Sequence, residues 1–369
     1  MILCEACKRN KASKSIGLCY KCLKEGKRGS VDFHELMRLR LGLPPKPPKG
    51  GLRCGLCVNE CEIPEGGIGY CGIWRNEGGR LRTSSKFFTY LDPLPTNCVA
   101  TPVCPAATSR GFPKYTEVPG PEVGYYNLAV FAYGCTLDCL FCQNWEHKTD
   151  LFRVRERRWE ELVEEAGRED VKCVCFFGGD PTPQSPYFIR ASEEILKKYD
   201  GIKRICWETN GLENPSIMRK MAELSFRSGG IVKVDWKAWS PEVYEALTGV
   251  DGKKAVERLK ENTKMIAKMG KKREEPPLLV VSVLLVPLYV TLEEVEGIAS
   301  YLASLDSNVP MVLLAFYPSW LMRDLPTTSE RHALEAMKVA RRAGVKEVYL
   351  GNEHLLSDAE YPISVEELL

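Results

Sequence analysis

The segment Gly134-Cys135-Thr136-Leu137-Asp138-Cys139-Leu140-Phe141-Cys142-Gln143-Asn144 follows an apolar run and spaces its three cysteines as C-x3-C-x2-C. The number of cysteines is chemically informative. Three thiolates hold three irons of a [4Fe-4S] cluster and leave the fourth iron open, whereas a structural site normally closes with four ligands. A zinc site that takes a fourth ligand such as His147 is the alternative interpretation. The loop therefore predicts a metal centre.

The sequence changes character at Asn127, just before this loop. From there short apolar runs alternate with amphipathic stretches, which predicts strands that alternate with helices. The predicted strands lie near residues 127–133, 172–177, 204–208, 231–235, 278–285, 311–316 and 345–350. The predicted helices are marked by residues 161–165, 188–199, 217–226, 255–269, 292–305 and 331–343. Six or seven βα units imply an α/β fold with a parallel, partial (β/α)6-type barrel, whose active site lies at the carboxyl ends of the strands.

Three further motifs follow the next three predicted strands. They are Phe177-Gly178-Gly179-Asp180-Pro181-Thr182-Pro183, Trp207-Glu208-Thr209-Asn210-Gly211 and Lys233-Val234-Asp235-Trp236-Lys237-Ala238-Trp239. Paired glycines let another molecule approach the backbone closely, although such a pair by itself indicates only a turn. Asp235 and Lys237 share one face of their strand, where a buried ion pair is the simpler alternative to a functional role.

In this order and setting, the motifs resemble those of the radical S-adenosylmethionine (radical SAM) superfamily. The resemblance implies that Cys135, Cys139 and Cys142 bind a [4Fe-4S] cluster, whose open iron chelates the amino and carboxylate groups of the SAM methionine. It implies further that SAM is bound by Phe141, Gly178, Gly179, Asp180, Pro181, Glu208, Thr209 and Asn210. In such enzymes an electron, from a donor such as ferredoxin or flavodoxin, cleaves SAM to a 5′-deoxyadenosyl radical, which takes hydrogen from an unactivated C–H bond.

Residues 52–356 resemble the activating-enzyme branch, which includes pyruvate formate-lyase activase and the AmmeMemoRadiSam-type enzymes. In that branch Asp235 and Lys237 correspond to a DxK element. With Arg323 they are the candidate catalytic residues, because all three follow predicted strands and could orient a polar group of the substrate. Nearby aromatic residues are candidates either for an apolar substrate channel or for ordinary packing. These are Trp145, Trp236, Trp239, Tyr317 and Trp320.

The remaining cysteines form four groups. They are an auxiliary set (Cys54, Cys57, Cys61, Cys71), an N-terminal set (Cys4, Cys7, Cys19, Cys22), an insert pair (Cys98, Cys104) and a strand group (Cys173, Cys175, Cys206). The auxiliary set predicts a closed site, for which we favour a [4Fe-4S] cluster over zinc. The N-terminal set has two C-x2-C pairs, typical of zinc or of a rubredoxin-like single iron. The insert pair either completes a further site or is free, and the strand group is interpreted as buried free thiols.

Charge and composition divide the chain into four parts. Residues 1–50 carry twelve Lys or Arg against four Asp or Glu, a net charge of +8, and end in a Pro-rich and Gly-rich linker. Residues 51–126 are a Cys-rich, Gly-rich and Pro-rich auxiliary metal-binding region, residues 127–356 are the radical SAM partial barrel, and residues 357–369 are a C-terminal tail. We interpret residues 1–50 as a docking module, separate from the catalytic barrel, that recruits an anionic substrate or partner.

Composition excludes several classes of protein. A chain of 369 residues that is 44% hydrophobic can bury a large core, which excludes disordered and collagen-like proteins. The sequence has no candidate membrane span and no signal peptide, which predicts a cytoplasmic protein. Its sixteen cysteines then indicate metal or redox chemistry. Only two glutamines, Gln143 and Gln184, together with many Lys and Glu, resemble the composition of a thermophile, in which intracellular disulfides also occur.

The sequence thus predicts an anaerobic radical SAM enzyme that oxidises or joins carbons of a lipid, small-molecule or macromolecular substrate. Within the family, the alternative is an activase that acts on a glycyl-radical enzyme. The alternative of another class is a metal-stapled scaffold that binds nucleic acid or protein, suggested by the basic residues 1–50. The open three-cysteine loop and the glycine pair favour the enzyme, because a scaffold needs neither.

Overall fold

Strands alternate with helices along residues 1–368, which are the residues described by the computed structural model. The strands are β1 (Ile2–Leu3), β2 (Lys11–Ala12), β3 (Leu52–Arg53), β4 (Glu62–Ile63), β5 (Trp74–Glu77), β6 (Arg80–Thr83), β7 (Phe87–Pro93), β8 (Tyr126–Ala132), β9 (Val171–Gly178), β10 (Arg204–Thr209), β11 (Val232–Asp235), β12 (Leu279–Leu285), β13 (Met311–Ala315) and β14 (Val348–Gly351). The helices are α1 (Tyr20–Lys24), α2 (Phe33–Arg40), α3 (Pro105–Thr108), α4 (Glu146–Thr149), α5 (Trp159–Glu165), α6 (Ser185–Lys198), α7 (Pro215–Ser228), α8 (Pro241–Thr248), α9 (Gly252–Gly270), α10 (Leu292–Leu305) and α11 (Glu330–Arg342). Single 3₁₀ turns occur at Thr101–Val103, Thr182–Gln184 and Glu353–Leu355.

One sheet forms the centre of the protein. In the described part of the chain it has eight strands in the order β14-β13-β12-β11-β10-β9-β8-β7, and β8 to β14 pair in parallel. The predicted fold, a parallel partial barrel with crossover helices, is confirmed. Strand β12 shows why the sheet could be predicted from the sequence. All seven of its residues are buried, so the strand is one continuous apolar run.

The first strand of the sheet was not predicted. Strand β7 pairs antiparallel with β8, with Phe87 opposite Ala132, so residues assigned to an irregular auxiliary region also build the barrel sheet. Its alternation was obscured because two of its large aromatic residues, Phe88 and Tyr90, are exposed. The aromatic-rich stretch from Phe87 to Tyr90 was the signal that could have revealed it.

Residues 1–50 pack directly against the barrel, and the interpretation of a separate docking module is corrected on this point. The Tyr20 hydroxyl donates a buried hydrogen bond to Glu294 in α10 (2.8 Å). The Tyr289 hydroxyl donates to the carbonyl of Leu18 (3.0 Å), and it also accepts from the backbone N–H of Ser13 (2.9 Å). Because these buried bonds join distant parts of the chain, the module has a fixed place on the barrel.

The C-terminal residues also lie on the barrel. The Leu292 N–H donates to the carbonyl of Ile363 (2.8 Å), and the Ser329 N–H donates to the Tyr361 hydroxyl (2.8 Å). The tail therefore covers the beginnings of α10 and α11. Among the described residues, no helix combines the length and the apolar character needed to cross a membrane.

Candidate active site

The C-x3-C-x2-C loop follows β8, and its three cysteines line one cavity of about 190 Å³. Cys135 and Cys139 are buried, whereas Cys142 is half-buried. The end of α8 supports the loop, because the Asp138 N–H donates to the carbonyl of Thr248 (2.8 Å). The structure therefore brings the three predicted iron ligands to the carboxyl end of the sheet.

Buried charged side chains form ion pairs with Asp138 of this loop. The Asp138 carboxylate lies 2.7 Å from Lys148 Nζ, 3.7 Å from the Arg38 guanidinium and 3.3 Å from His34 Nδ1. Burial alone would raise the pKa of Asp138, but Lys148, then His34 and Arg38, lower it below its usual range. Arg38 also stacks over the Tyr70 ring (3.5 Å) and donates to the Tyr70 carbonyl. Helix α2 of residues 1–50 is thus part of the support for the cysteine loop.

The predicted glycine pair lies beside the cysteines and lines the same cavity. Gly178 has a φ of +115°, a conformation that favours glycine. A Cβ atom on Gly179 would overlap the carbonyl of Gly134 and the ring of His147. The Cys135 thiol donates to the Gly179 carbonyl (3.3 Å). Both positions therefore require glycine, because neighbouring backbone and the His147 ring fill the space that a side chain would take.

Asp180 borders the cavity, but its carboxylate oxygens are already engaged. One oxygen accepts from the Thr209 hydroxyl (2.9 Å) and from the Asn210 N–H (3.0 Å), and the other accepts from the Thr182 N–H (3.1 Å). Burial raises its pKa. Pro181 does not line the cavity in the described structure. Asp180 therefore joins the glycine loop to the end of β10.

Glu208, Thr209 and Asn210 line the cavity from β10. The Asn210 amide donates to the Thr136 hydroxyl (2.6 Å), which fixes it against the cysteine loop. Thr209 is also hydrogen-bonded to Glu213, a fully buried acid that the sequence analysis missed. Burial, and then the charge of neighbouring Asp180, raises the pKa of Glu213 to about 8.

Two pairs of lysine and carboxylate face the cavity from β10 and β11. Asp235 and Lys237 form the ion pair that was the simpler alternative, yet Asp235 Oδ1 has no hydrogen-bond partner among the described residues. Burial opposes the charge of Lys237, but Asp235 raises its pKa. The Lys237 Nζ atom also lies 5.6 Å over the ring of Phe141. The second pair, Lys233 with Glu208 (2.7 Å), was missed.

The structure does not bring Arg323 to the cavity. Arg323 is exposed, and it is absent from the residues described as lining the cavity. The reason is that its neighbour Asp324 turns toward the N-terminal module, where it accepts from the Lys14 N–H (2.8 Å) and the Ser13 hydroxyl (2.9 Å). Arg323 therefore lies outside the described cavity lining, and its catalytic role stays a prediction.

The candidate channel aromatics also lie outside the described cavity lining. Trp145 stacks on Trp320 with ring centres 5.4 Å apart, and Trp236 packs against Trp239 at 6.1 Å. Tyr317 is 53% exposed. The structure supports packing or surface positions for these rings.

His147 also lines the cavity, and its position tests whether it could complete a zinc site with the three cysteines. Its ring is buried, burial lowers its pKa, and its Nδ1 atom has no hydrogen-bond partner in residues 1–368. A zinc ion would draw this nitrogen and the three sulfurs together. Across the described residues, however, three or more such ligand atoms lie within 4.8 Å of one another only in the N-terminal set. The donor set therefore fits an open cluster better than a closed zinc site.

The auxiliary set lies next to the cysteine loop. Its four cysteines line one small void together with Thr136, and the Asn59 amide donates to the Thr136 carbonyl (2.7 Å). Their sulfurs are not among the groups that converge within 4.8 Å in the part of the chain described. A multi-iron cluster spaces its cysteine ligands more widely than a single ion does. These four sulfurs are therefore not gathered around the position of a single ion.

The N-terminal set has the opposite geometry. All four sulfurs lie within 4.8 Å of one another, and those of Cys7 and Cys19 are 3.9 Å apart. A tetrahedral ion with metal–sulfur bonds of about 2.3 Å places its ligands about 4 Å apart. Backbone N–H groups of Asn10 and then Arg9 lower the pKa of Cys7 to about 6, which favours the thiolate. These residues could hold one metal ion.

We expect Cys19→Ala to remove one metal ion per chain without loss of acid-labile sulfide, because a single-ion site contains no sulfide. Elemental analysis of the purified protein measures this directly and distinguishes zinc from iron. Ala6→Ser, an exposed substitution between two ligands, is the control and should keep the ion. Full metal content in the Cys19 variant would contradict the site.

Residues 129–302 match the family model of the radical SAM superfamily. This part of the chain is a radical SAM domain. The family implies a [4Fe-4S] cluster and SAM as cofactors, and the residues present fit both: three cysteines share a cavity with a glycine pair and with the unpartnered His147 nitrogen. The radical SAM resemblance is thereby confirmed.

The chain is similar to several other proteins. A Methanocaldococcus jannaschii protein described as uncharacterised is 24% identical over 309 residues, which cover 82% of this chain and 81% of that protein. A probable GTP 3′,8-cyclase of Thermococcus kodakarensis is 31% identical over 127 residues, 33% of this chain and 38% of the cyclase.

The chain also has partial similarity to solved structures. Streptococcus suis SuiB bound to precursor peptide SuiA has a TM-score of 0.44 at 14% identity, and the match covers 62% of this chain and 51% of SuiB. A domain of pyruvate-formate lyase-activating enzyme from Bacteroides vulgatus has a TM-score of 0.37 at 17% identity, covering 48% of this chain and 98% of that domain.

Proposed function

We propose that this radical SAM enzyme abstracts hydrogen from an unactivated C–H bond of a lipid, small-molecule or macromolecular substrate. The observation that carries the proposal is the cavity that Cys135, Cys139 and Cys142 share with the glycine pair. When bound, the [4Fe-4S] cluster and SAM supply the electron and the 5′-deoxyadenosyl radical for this chemistry.

The residues around the three cysteines bind and shield the cofactors. Gly178 and Gly179 line the cavity, where their backbone could contact SAM, and the Asn210 amide is held against the cysteine loop. Phe141 and Leu137 are buried at the cavity wall. Apolar walls of this kind exclude water, which protects a reactive radical from side reactions.

Asp235 and Lys237 are proposed to orient a polar group of SAM or of the substrate. Both line the cavity, and Asp235 retains one buried oxygen without a protein partner in the described chain. A buried carboxylate oxygen without a partner is costly, so a ligand that donates a hydrogen bond there would be favoured.

The test uses anaerobic protein with SAM and dithionite, and the readout is 5′-deoxyadenosine. Candidate substrates that carry deuterium at the reacting carbon should transfer it to this product. Absence of 5′-deoxyadenosine from iron-loaded protein would overturn the proposal. The activase alternative predicts a glycyl radical on a partner protein, detected by electron paramagnetic resonance.

The auxiliary set is proposed to bind a second [4Fe-4S] cluster. We expect Cys54→Ala/Cys57→Ala to lower iron and acid-labile sulfide by about four each per chain, because two ligands are lost. Val58→Ala, a buried position in the same loop, is the matched control and should keep both contents. If the double variant loses zinc instead, the site stands but its metal is not iron.

We also propose that residues 1–50 meet an anionic electron donor, substrate or partner. Exposed cations surround the N-terminal set, as expected for a surface that meets a negatively charged protein or substrate. They are Lys8, Arg9, Lys11 and Lys14. An acidic donor such as ferredoxin or flavodoxin would have the complementary charge.

A further inference from the structure

The insert pair and the strand group, which are separate in the sequence, meet inside the barrel. Cys173 and Cys175 lie on β9, and Cys206 on β10 lies directly opposite Cys175. Cys98 and Cys104 belong to the insert between β7 and β8. None of the five contributes to the sites described above.

The insert enters the barrel interior and brings its cysteines with it. Its residues Ala100 and Val103 form one buried cluster with Ile231, Val280 and Val312, and Cys98 packs against this cluster. A second buried cluster contains Leu94, Ala106 and Cys173, and Cys104 packs against it. The insert cysteines are therefore held next to β9 in an apolar environment.

Two buried cations contact the sulfurs. Lys233 Nζ lies 3.2 Å from Cys98 Sγ and 3.0 Å from Cys175 Sγ, so these two sulfurs are at most 6.2 Å apart. The Arg204 guanidinium donates to Cys173 Sγ at 3.2 and 3.0 Å. Each cation also has one carboxylate partner, Glu208 for Lys233 and Glu122 for Arg204.

Burial raises the pKa of Cys98, Cys173 and Cys175, and the two buried cations oppose this effect. Hydrogen bonds from charged donors stabilise an anionic acceptor, and they are stronger in a dry interior than in water. Burial, and then the proximity of Cys173, Cys98 and Cys206, raises the pKa of Cys104. Without a metal, neighbouring thiolates would repel one another, whereas a bound metal removes this repulsion.

We propose that these five cysteines form a further iron–sulfur site inside the barrel, with four of them as ligands. A cluster suits the geometry better than a single ion, because no three of these sulfurs converge within 4.8 Å among the described residues. The thiols that become ligands release their protons when the cluster binds. Val99 and Lys233 also line the radical SAM cavity, so the proposed site adjoins that cavity.

The test compares full-length proteins reconstituted anaerobically with ferrous iron and sulfide. We expect Cys98→Ala/Cys104→Ala to lose about four irons and about four sulfides per chain relative to the unmodified protein. Val103→Ala, a buried substitution in the same insert, should lose neither. Alkylation under non-reducing conditions, followed by mass spectrometry, reports whether any of the five cysteines is disulfide-bonded.

Unchanged iron and sulfide in the double variant would overturn the proposal, as would a Cys175–Cys206 disulfide in the native protein. If the double variant does not fold, Cys175→Ala/Cys206→Ala decides, because it leaves the insert intact and only three of the five cysteines. It should lose the same iron and sulfide while SAM still changes the spectrum of the reduced radical SAM cluster. The outcome is independent of the proposed reaction, because metal content is the readout.

Discussion

Replacing Cys135, Cys139 and Cys142 together by Ala is expected to reduce 5′-deoxyadenosine formation from SAM to background. All three thiols line the cavity. Among residues 1–368, no other group of metal ligands converges there to replace them. Without these ligands the protein cannot hold the cluster that delivers the electron. Product is quantified by chromatography after anaerobic incubation with SAM and dithionite.

Thr149→Ala serves as the control for this experiment. It lies at the end of α4, just beyond the cysteine loop, and removes no ligand. It should keep both iron content and product formation. Product in the triple cysteine variant at the level of this control would refute a radical mechanism at this loop.

The barrel could be predicted from the sequence because its signals are local. Most strands from β8 to β14 are short apolar runs, and each site motif lies at or just after the end of a strand. Lys233 was also within reach of this reasoning. It alternates with Asp235 on β11, so the two share a face, just as Asp235 and Lys237 do.

The position of residues 1–50 could not be predicted in the same way. It depends on bonds such as Tyr20 to Glu294 and Ser13 to Asp324, which join residues about 300 positions apart. A net charge of +8 and a Pro-rich end are equally compatible with a free module and with a packed one. The insert pair is similar: nothing local to Cys98 or Cys104 shows that the barrel surrounds them.

Asp138→Asn is expected to destabilise the protein by about 3–5 kcal/mol and to impair cluster binding. The substitution leaves Lys148 and Arg38 buried without their carboxylate, and an uncompensated buried charge is costly. Thermal unfolding of the metal-free proteins measures the first effect, and iron content after reconstitution measures the second. Asp150→Asn is the control, because Asp150 is 42% exposed and its pair with Arg153 spans 3.9 Å, so its loss should cost at most about 0.5 kcal/mol. Equal unfolding temperatures for the two variants would contradict the buried network.

Combining Asp138→Asn with Arg38→Gln then asks whether residues 1–50 support the radical SAM site. Arg38 belongs to α2 of that module, whereas Asp138 lies between two iron ligands. If their contact supports the loop, the two substitutions are coupled, and the double variant loses less stability than the single losses predict together. We expect a coupling of about 1–3 kcal/mol, since both partners are buried. Strict additivity would instead show that the module is energetically independent of the loop, as a tethered docking module would be.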